Sequence, residues 1–343
     1  MREHGFHSLA RRWWAGELGI AGSTLAVLLA PAEALYRAGV AARNAAFAAG
    51  VLRIHHAQVP VISIGNVAVG GTGKTPFTHY VARLLCDRGA KPAIVHGGYA
   101  ADEPELHRRW SSDIPVAVDA DRVRAARTAR AHGADVVVLD DGFQHRRVHR
   151  DLDIVLIAVE RWEAARRVLP RGPSREPLSA LQRAHLLVTM RKTATAAHAA
   201  AVRAQLATVT GVPVINVHLE PARWVRNGVP ADPPHAPVVA VAALAEPELF
   251  IGNARSSGAT VRAVLAYADH HAYTAADAAL ILRRSQGAPI VTTEKDWIKL
   301  HTLLPPERVW LLTQRVRVDH GADVLDARLD RVLRSRVPET RAR

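Results

Sequence analysis

The residues best suited to chemistry in this sequence lie in a glycine-rich segment that reads VAVGGTGKT, residues 67–75. Its spacing is that of a phosphate-binding loop, G-x-x-x-x-G-K-[ST], in which backbone N–H groups and a lysine bind phosphate oxygens while a hydroxyl binds Mg²⁺. The first glycine of that pattern is replaced here by Ala68. We interpret the segment as a nucleotide-binding loop formed by Ala68, Val69, Gly70, Gly71, Thr72, Gly73, Lys74 and Thr75, in which Thr75 is a metal ligand.

A second candidate site is the pair Asp140-Asp141 in VVVLDDGFQHRR, residues 136–147. Four apolar residues that favour strands precede the two carboxylates, which is typical of a strand whose aspartate holds a metal ion beside a phosphate loop. The alternative is a turn that begins at the Asp-Gly dipeptide. The phosphate loop upstream favours the metal-binding interpretation.

The elements that must position these residues follow an alternating pattern. From residue 59, short apolar runs alternate with helical patterns, which predicts βαβ units and a parallel sheet of the P-loop NTPase type. The loop and the Asp pair then emerge at the carboxyl edge of one sheet. We predict a P-loop domain over 58–225 and a smaller α/β domain over 226–335, whose final helix can pack back on the first domain. The proline-rich NGVPADPPHAP, residues 227–237, is predicted to be a linker.

Composition narrows the class of protein. The chain of 343 residues has 49% hydrophobic residues, which is globular, and a net charge of +13 that favours polyanionic partners. No aromatic-rich nucleic-acid module accompanies the arginines, so we expect no nucleic-acid partner. Cys86 is the one cysteine, which excludes an intrachain disulfide and a cysteine metal site.

The N-terminal segment, residues 1–57, is basic and then apolar. Arg11, Arg12, Trp13 and Trp14 precede an apolar run that Pro31 and Glu33 interrupt, a pattern that favours amphipathic helices at a membrane interface. A helix packed on its own domain explains the same stripe equally well. Part of the run also imitates a signal peptide, although a nucleotide site follows directly.

Several motifs together resemble one family. GNVAVGGTGKTP, LDDGFQHRR, DLDIVLI, LPRGPSREPLSAL, DHHAY and TTEKD occur in this order in the tetraacyldisaccharide 4′-kinases, the lipid A 4′-kinases of Gram-negative bacteria. The resemblance runs from about residue 30 to 335. The loop of this family commonly carries a residue other than glycine at the position of Ala68.

The resemblance implies an enzyme that uses ATP and Mg²⁺. It would transfer the γ-phosphate to the 4′-hydroxyl of tetraacyldisaccharide 1-phosphate, a lipid A disaccharide precursor, while attached peripherally to the cytoplasmic face of the inner membrane. The oligomeric state is left open. Two alternatives are a P-loop kinase for another amphiphilic acceptor and a membrane-surface nucleotide switch. The R-E-P and D-E-P carboxylates argue against the switch.

The resemblance also assigns roles. Lys74 and Thr75 match the loop lysine and the Mg²⁺ ligand, and the metal set is completed by Asp140, Asp141 and Glu176. Asp102 matches an aspartate proposed as the base for the attacking hydroxyl, and His270 a histidine that supports it. Purely structural roles are the alternatives: Asp102 would be a helix cap, and His270 or His271 would be a hydrogen-bonded histidine at a strand end.

One stretch, VHGGYAADEP at residues 95–104, departs from the family. His96-Gly97 replaces a Ser-Arg pair, Ala100 and Ala101 replace glycines, and a longer excursion before the D-E-P motif is nearly absent. The assignment of Asp102 therefore depends on a match of three residues, the D-E-P motif at 102–104. We expect the loop, the Asp pair and Asp102 to belong to the first domain and His270 to the second, with the site in the cleft between the two domains.

Overall fold

A computed structural model describes residues 9–10, 12–14, 16–98, 102–163 and 166–335 of the chain. The chain forms two compact units. The first unit comprises Met1–Gly98, Asp113–His218 and Arg317–Arg343, and the second comprises Tyr99–Ser112 and Leu219–Val316. Two long strands contribute residues to both units.

The strands, in chain order, are β1 Val61–Asn66, β2 Pro92–His96, β3 Val116–Val118, β4 Val136–Asp140, β5 Leu152–Ala158, β6 Leu186–Arg191, β7 Val214–Arg226, β8 Val229–Ala231, β9 Val238–Ala242, β10 Val261–Ala266, β11 Ile290–Thr293 and β12 Val309–His320. The helices are α1 Gly19–Leu28, α2 Ala30–Ala48, α3 Lys74–Asp87, α4 Asp102–Trp110, α5 Arg122–Ala131, α6 Ala196–Thr210, α7 Pro247–Ser256, α8 Ala275–Ser285, α9 Glu294–Leu300 and α10 Ala322–Arg334.

The first unit is built on a parallel sheet in the order β7-β6-β5-β1-β4-β2-β3. Its central strands are runs of valine, isoleucine and leucine that are buried on both faces, as parallel strands covered by helices require. Ile64 of β1 pairs with Asp140 of β4. This register brings the end of β4 beside the end of β1, where the phosphate loop begins.

Helices cover both faces of this sheet with apolar side chains. α3 buries Phe77, Val81 and Leu85, and α10 buries Leu325 and Leu329. α10 is the final described helix, and it lies on the first unit, where Asp330 accepts a hydrogen bond of 3.1 Å from Arg88. The α/β class with a parallel P-loop-type sheet is thereby confirmed.

The second unit has its own parallel strands in the order β10-β9-β11-β12, with α4, α7, α8 and α9 around them. Ile281, Trp297 and Leu300 belong to its core. β11 ends at Thr293, whose hydroxyl caps α9 by accepting the N–H of Asp296 at 3.0 Å. The capping threonine therefore starts a helix inside the TTEKD motif, directly after the strand.

The predicted linker over 227–237 is wrong at its start. Residues 229–231 form β8, which pairs antiparallel with β7, with Arg226 opposite Val229. Asn227 (φ 51°) and Gly228 (φ 79°) make the turn between them. An Asn-Gly pair with two positive φ angles is the preferred two-residue hairpin turn, a signal that the proline content of this segment obscured.

The N-terminal helices are packed on one side and exposed on the other. Arg171 contacts Glu33 of α2 at 3.0 Å, and Tyr36 donates to the Arg175 carbonyl, so one face of α2 packs on the first unit. Other apolar side chains are exposed, among them Ile20 (87%) and Leu35 (77%). In the described part of the chain no single helix has the length and apolarity to cross a membrane, whereas α1 and α2, bent by 53°, meet that test as a pair. Arg11 lies outside the described residues.

Candidate active site

The phosphate loop connects β1 to α3 and takes its shape from glycines and one asparagine. Gly70 (φ 112°) and Gly73 (φ 83°) adopt backbone conformations that are strained for other residues. Asn66, the last residue of β1, donates its side-chain amide to the Ala68 carbonyl at 2.6 Å and to the Thr72 hydroxyl at 3.0 Å. Asn66 thus braces the loop from inside, a role that the motif did not reveal.

Two cations from neighbouring strand ends lie against the loop. The Arg161 guanidinium occupies the space that a side chain at Gly70 would need, and Lys192 donates to the Gly71 carbonyl at 2.6 Å. Glu160 accepts hydrogen bonds of 2.6–3.0 Å from the N–H groups of Lys192 and the next two residues. Burial favours a raised Glu160 pKa, but these N–H groups outweigh it and lower the pKa, which keeps the carboxylate ionised. The loop therefore sits in a positive, internally braced environment.

Lys74 and Thr75 begin α3. The Lys74 ammonium lies 3.2 Å from the Asn66 carbonyl oxygen Oδ1 and 3.3 Å from Asp141 Oδ1. Thr75 is buried in the first turn, where the N–H groups and the dipole of the helix favour anions. The predicted loop lysine and the predicted aspartate are thus brought together in the structure.

The Asp pair stands at the end of β4 and is almost fully buried. Asp140 accepts a hydrogen bond of 3.1 Å from the Thr78 hydroxyl, one turn into α3. Asp141 has a left-handed conformation (φ 58°), and Arg175 lies 3.4 Å from its Oδ2. A positive φ costs a non-glycine residue about 1 kcal/mol or more, so the fold maintains a strained backbone at this carboxylate.

These groups fit Mg²⁺ and the phosphates of a nucleotide. The Thr75 hydroxyl and the carboxylates of Asp140 and Asp141 are oxygen donors, which Mg²⁺ prefers. The glycines leave the backbone of the loop open for the approach of phosphate oxygens. The first unit therefore contains oxygen donors and open backbone that are chemically suited to a metal–nucleotide complex.

Glu176 has different partners from those expected of a metal ligand. It is 2% exposed, and Arg183 donates to its two carboxylate oxygens at 2.9 and 3.2 Å. Asn44 of α2 adds a third hydrogen bond at 3.0 Å. Arg183 also lies over the Phe143 ring, 4.5 Å from its centroid. The geometry favours a buried structural ion pair over the predicted role in metal binding.

Two residues of the GFQH motif lie beside the loop. Gln144 donates to the Asn66 carbonyl at 2.9 Å. Burial, aided by the charge of Arg122, lowers the pKa of His145 to about 4, so that this imidazole is neutral at pH 7.

The Arg122 guanidinium occupies the space above Gly97, the position at which the resemblance leads us to expect an arginine. The departures at Ala100 and Ala101 lie outside the described residues.

Asp102 is the first residue of α4 and belongs to the second unit, not to the unit of the phosphate loop as expected. The reason is the packing of α4 on α9, where Trp110 donates to Glu294 at 2.9 Å. His270 Nδ1 lies 3.2 Å from both oxygens of Asp102. The structure thus places the two predicted catalytic residues in hydrogen-bond contact within one unit.

The two adjacent histidines have separate partners. His271 Nε2 lies 3.1 Å from Asp277 Oδ2, in the capping box of α8, and its ring stacks on Tyr267. His270 has a left-handed backbone (φ 60°). His270 is therefore the histidine that contacts Asp102. The sequence alone does not show which of the two adjacent histidines makes this contact.

Charges around Asp102 set its protonation state. Burial would raise its pKa, but the hydrogen bond with His270 and the ammonium groups of Lys295 and Lys299 together hold the pKa well below its ordinary value. The contact with Asp102 raises the pKa of His270, against burial and the charge of Lys295. The pair therefore favours an ionised carboxylate beside a protonated imidazole. The sequence analysis missed Lys295 and Lys299, although their spacing of four in EKDWIKL places them on one helix face.

Comparisons with known proteins show which family the chain resembles. The family model of Tetraacyldisaccharide-1-P 4′-kinase matches residues 25–111 and 100–334. The tetraacyldisaccharide 4′-kinase of Anaeromyxobacter dehalogenans (strain 2CP-1 / ATCC BAA-258) is 38% identical over 94% of this chain and 94% of the relative. That of Syntrophus aciditrophicus (strain SB) is 36% identical over 81% of this chain and 85% of the relative.

A solved structure extends the likeness to the fold. The "apo" form of LpxK from Aquifex aeolicus, in complex with ATP, superposes with a TM-score of 0.73 at 29% identity, covering 90% of this chain and 99% of that one. The family model and the relatives both span most of the chain. This chain belongs to the tetraacyldisaccharide 4′-kinase family.

Proposed function

We propose that this protein is an ATP-dependent lipid kinase that transfers the γ-phosphate to the 4′-hydroxyl of tetraacyldisaccharide 1-phosphate in lipid A biosynthesis. Membership of the family over most of the chain supports the activity. The structural observation that carries the proposal is the contact between the buried Asp102 and the exposed His270, with two lysines around the carboxylate. A nucleotide switch needs a phosphate loop and a metal, whereas a kinase also needs a group that receives an acceptor hydroxyl.

The first unit would bind the nucleotide. Residues 68–75 present backbone N–H groups to the phosphates, and Lys74 supplies a positive charge beside them. Thr75, Asp140 and Asp141 would hold Mg²⁺, which supplies charge neutralisation of the phosphates when bound. Asn66 and Lys192 would hold the loop in place through their contacts with its backbone.

Asp102 would receive the hydrogen of the acceptor hydroxyl. A lowered pKa keeps its carboxylate ionised at neutral pH, but it also makes the carboxylate a weak base. In a loose phosphoryl-transfer transition state the hydroxyl retains its proton until late, so orientation of the attacking oxygen matters more than base strength. The proton passes to Asp102 as the new O–P bond forms and the bond between the γ-phosphorus and the ADP oxygen breaks, which releases ADP. His270 donates from Nδ1 to Asp102 and fixes its plane, and the contact raises the pKa of His270.

The exposed apolar residues of α1 and α2 would attach the protein peripherally to the cytoplasmic face of the inner membrane. Ile20, Val27, Leu28 and Leu35 are each at least 71% exposed, although large aliphatic side chains are usually buried. A lipid substrate requires an enzyme that reaches the interface. Sedimentation with vesicles of phosphatidylethanolamine and phosphatidylglycerol tests this membrane attachment. The double variant Leu35→Ser with Ile20→Ser should bind the vesicles less than wild type does.

The test of the activity is transfer of ³²P from [γ-³²P]ATP to purified tetraacyldisaccharide 1-phosphate. Wild-type protein should label the lipid, and Lys74→Ala should not. Asp102→Ala should abolish transfer while ATP binding is retained. ATP hydrolysis without lipid labelling would contradict the proposal and favour a nucleotide switch. Labelling of a different amphiphile in a lipid extract, with none of the disaccharide, would instead favour a kinase for another acceptor.

A further inference from the structure

Two lysines of α9 converge on one oxygen of Asp102. The Lys299 ammonium lies 3.2 Å from Oδ2, and the Lys295 ammonium lies 3.9 Å from the same atom. Lys295 also contacts Asp269 Oδ1 at 3.2 Å and His270 Nε2 at 3.3 Å. Lys299 has no such second carboxylate within the described chain, so its contact with Asp102 is the more specific of the two.

The two oxygens of Asp102 are consequently unequal. Both ammonium groups make their nearest approach to Asp102 at Oδ2, whereas His270 Nδ1 lies 3.2 Å from each of the two oxygens. A carboxylate oxygen accepts two hydrogen bonds in its plane. Oδ1, the oxygen farther from the ammonium groups, therefore keeps the capacity to accept one further donor.

The helix that carries the lysines is held firmly. Asp296, which lies between them in sequence, is fully buried and accepts hydrogen bonds from the Ala243 N–H at 3.1 Å and from the Tyr273 hydroxyl at 3.2 Å. The side chains of Lys295 and Lys299 are only 21% and 19% exposed. A flexible surface lysine loses side-chain entropy when it forms an ion pair, but partly buried lysines on a fixed helix lose less. The arrangement is thus suited to holding a carboxylate in one orientation.

We propose that Lys299 is a positioning residue for the phosphoryl transfer: it binds Oδ2 of Asp102 so that Oδ1 is directed to the hydroxyl of the acceptor lipid. This inference rests on the proposed function, in which Asp102 receives that hydroxyl. Lys299 itself touches neither the acceptor nor the phosphate. Lys295 acts beside it by linking Asp269 and His270 to the same cluster.

Positioning predicts a loss in turnover and not in substrate binding. Removal of the Lys299 ion pair should lower kcat by about 10- to 100-fold, because Asp102 can rotate away from its productive orientation. The KM for the lipid should change by less than about twofold, since no ground-state contact with the lipid is removed.

The charged groups that face Asp102 are His270 and Asp269 from the loop after β10, and Lys295 and Lys299 from α9. His270 and the two lysines hold the pKa of Asp102 well below its ordinary value, so kcat at neutral pH reports the orientation of the carboxylate and not its protonation state. Recovery of kcat in Lys299→Arg is therefore a second readout that a merely structural lysine would not supply.

The experiment uses the full chain and compares Lys299→Met, Lys299→Arg and Arg284→Met in the ³²P-transfer assay at pH 7. Arg284 is an exposed cation of the same unit, so its replacement controls for lost charge. Lys299→Met should show the lower kcat with a KM close to wild type, Lys299→Arg should recover most of the kcat, and Arg284→Met should match wild type. Thermal unfolding verifies the fold, and Lys299→Gln is the second variant should methionine prevent folding.

Two results would overturn the inference. A Lys299→Met enzyme with wild-type kcat shows that Oδ2 needs no such contact, and one with a raised KM but unchanged kcat shows that Lys299 binds the lipid instead. Failure of the underlying function looks different. In that case the wild-type enzyme labels no disaccharide, or Asp102→Asn retains full activity, whatever the Lys299 variants do.

Discussion

Replacing Arg183 with methionine should destabilise the first unit, because it leaves the Glu176 carboxylate buried without its main partner. Glu176 is 2% exposed and depends on two hydrogen bonds from Arg183 and one from Asn44. Removing one member of a buried ion pair costs about 3–5 kcal/mol, since the remaining charge is uncompensated. The Arg183 side chain is 22% exposed, so water can reach part of the pair and the lower end of this range applies.

A loss of about 3 kcal/mol corresponds to a melting temperature about 6–12 °C lower for a unit of this size. Calorimetry at pH 7 measures it, with Glu176→Gln as the matched control. Glutamine removes the buried charge and keeps one acceptor, so its loss of stability should be the smaller. Arg183→Lys, which keeps the charge without the two parallel hydrogen bonds, should be intermediate.

The same variants separate the structural role of Glu176 from the metal role that the sequence suggests. For a structural ion pair, Glu176→Gln leaves the Mg²⁺ concentration for half-maximal activity unchanged. The reasoning is refuted if Arg183→Met keeps the wild-type melting temperature while Glu176→Gln raises that Mg²⁺ concentration severalfold. Such a result would mean that the carboxylate leaves Arg183 and Asn44 to bind the metal.

Three further predictions concern the loop, the core and the pH dependence of stability. Lys74→Ala should lower kcat for phosphate transfer, measured in the ³²P-transfer assay, by at least about 100-fold, as loss of a charge beside the transferred group does. Gly65→Ala should lower the free energy of unfolding, measured with urea, by about 1–3 kcal/mol. The new Cβ would lie 2.5 Å from Phe143 Cβ and 2.6 Å from its backbone nitrogen. An unchanged urea midpoint would show that β1 can shift. The contribution of the Asp102–His270 pair to the free energy of unfolding should be largest between about pH 4 and 6.5, the ordinary pKa values of the two groups. It should fall at lower pH, where Asp102 with its lowered pKa becomes protonated, and at higher pH, where His270 with its raised pKa loses its proton. Urea titrations across pH 3–9 should show both limbs in wild type and neither in Asp102→Asn.

Much of the first unit is predictable because its signals are local. β1, the glycine-rich loop and α3 lie within residues 61–87, and each is predictable from the residues of its own segment. The Asp pair follows a strand of four apolar residues, and parallel pairing then brings Asp140 to Ile64 at the same edge. The Asn-Gly turn at residues 227–228 was equally local, and its signal was overlooked because prolines nearby resembled a linker.

Other features depend on pairs of residues far apart in the chain. Asp102 and His270 are separated by 168 positions, and family resemblance, not spacing, brought them together. The resemblance left open which of two adjacent histidines contacts Asp102. The fold decides this by turning His270 to Asp102 and His271 to Asp277. The choice depends on the left-handed backbone at His270, a conformation that no local pattern predicts.

The sequence by itself determined the α/β class, the phosphate loop and the carboxylates at the strand end, because hydrophobic periodicity and turn chemistry act over a few residues. Only the tertiary structure decided that Asp102 packs with α9, that Lys295 and Lys299 flank it, and that Glu176 pairs with Arg183. Each of these contacts joins side chains on separate elements. Their charge and burial, and therefore their chemistry, follow from packing that exists only in the folded chain.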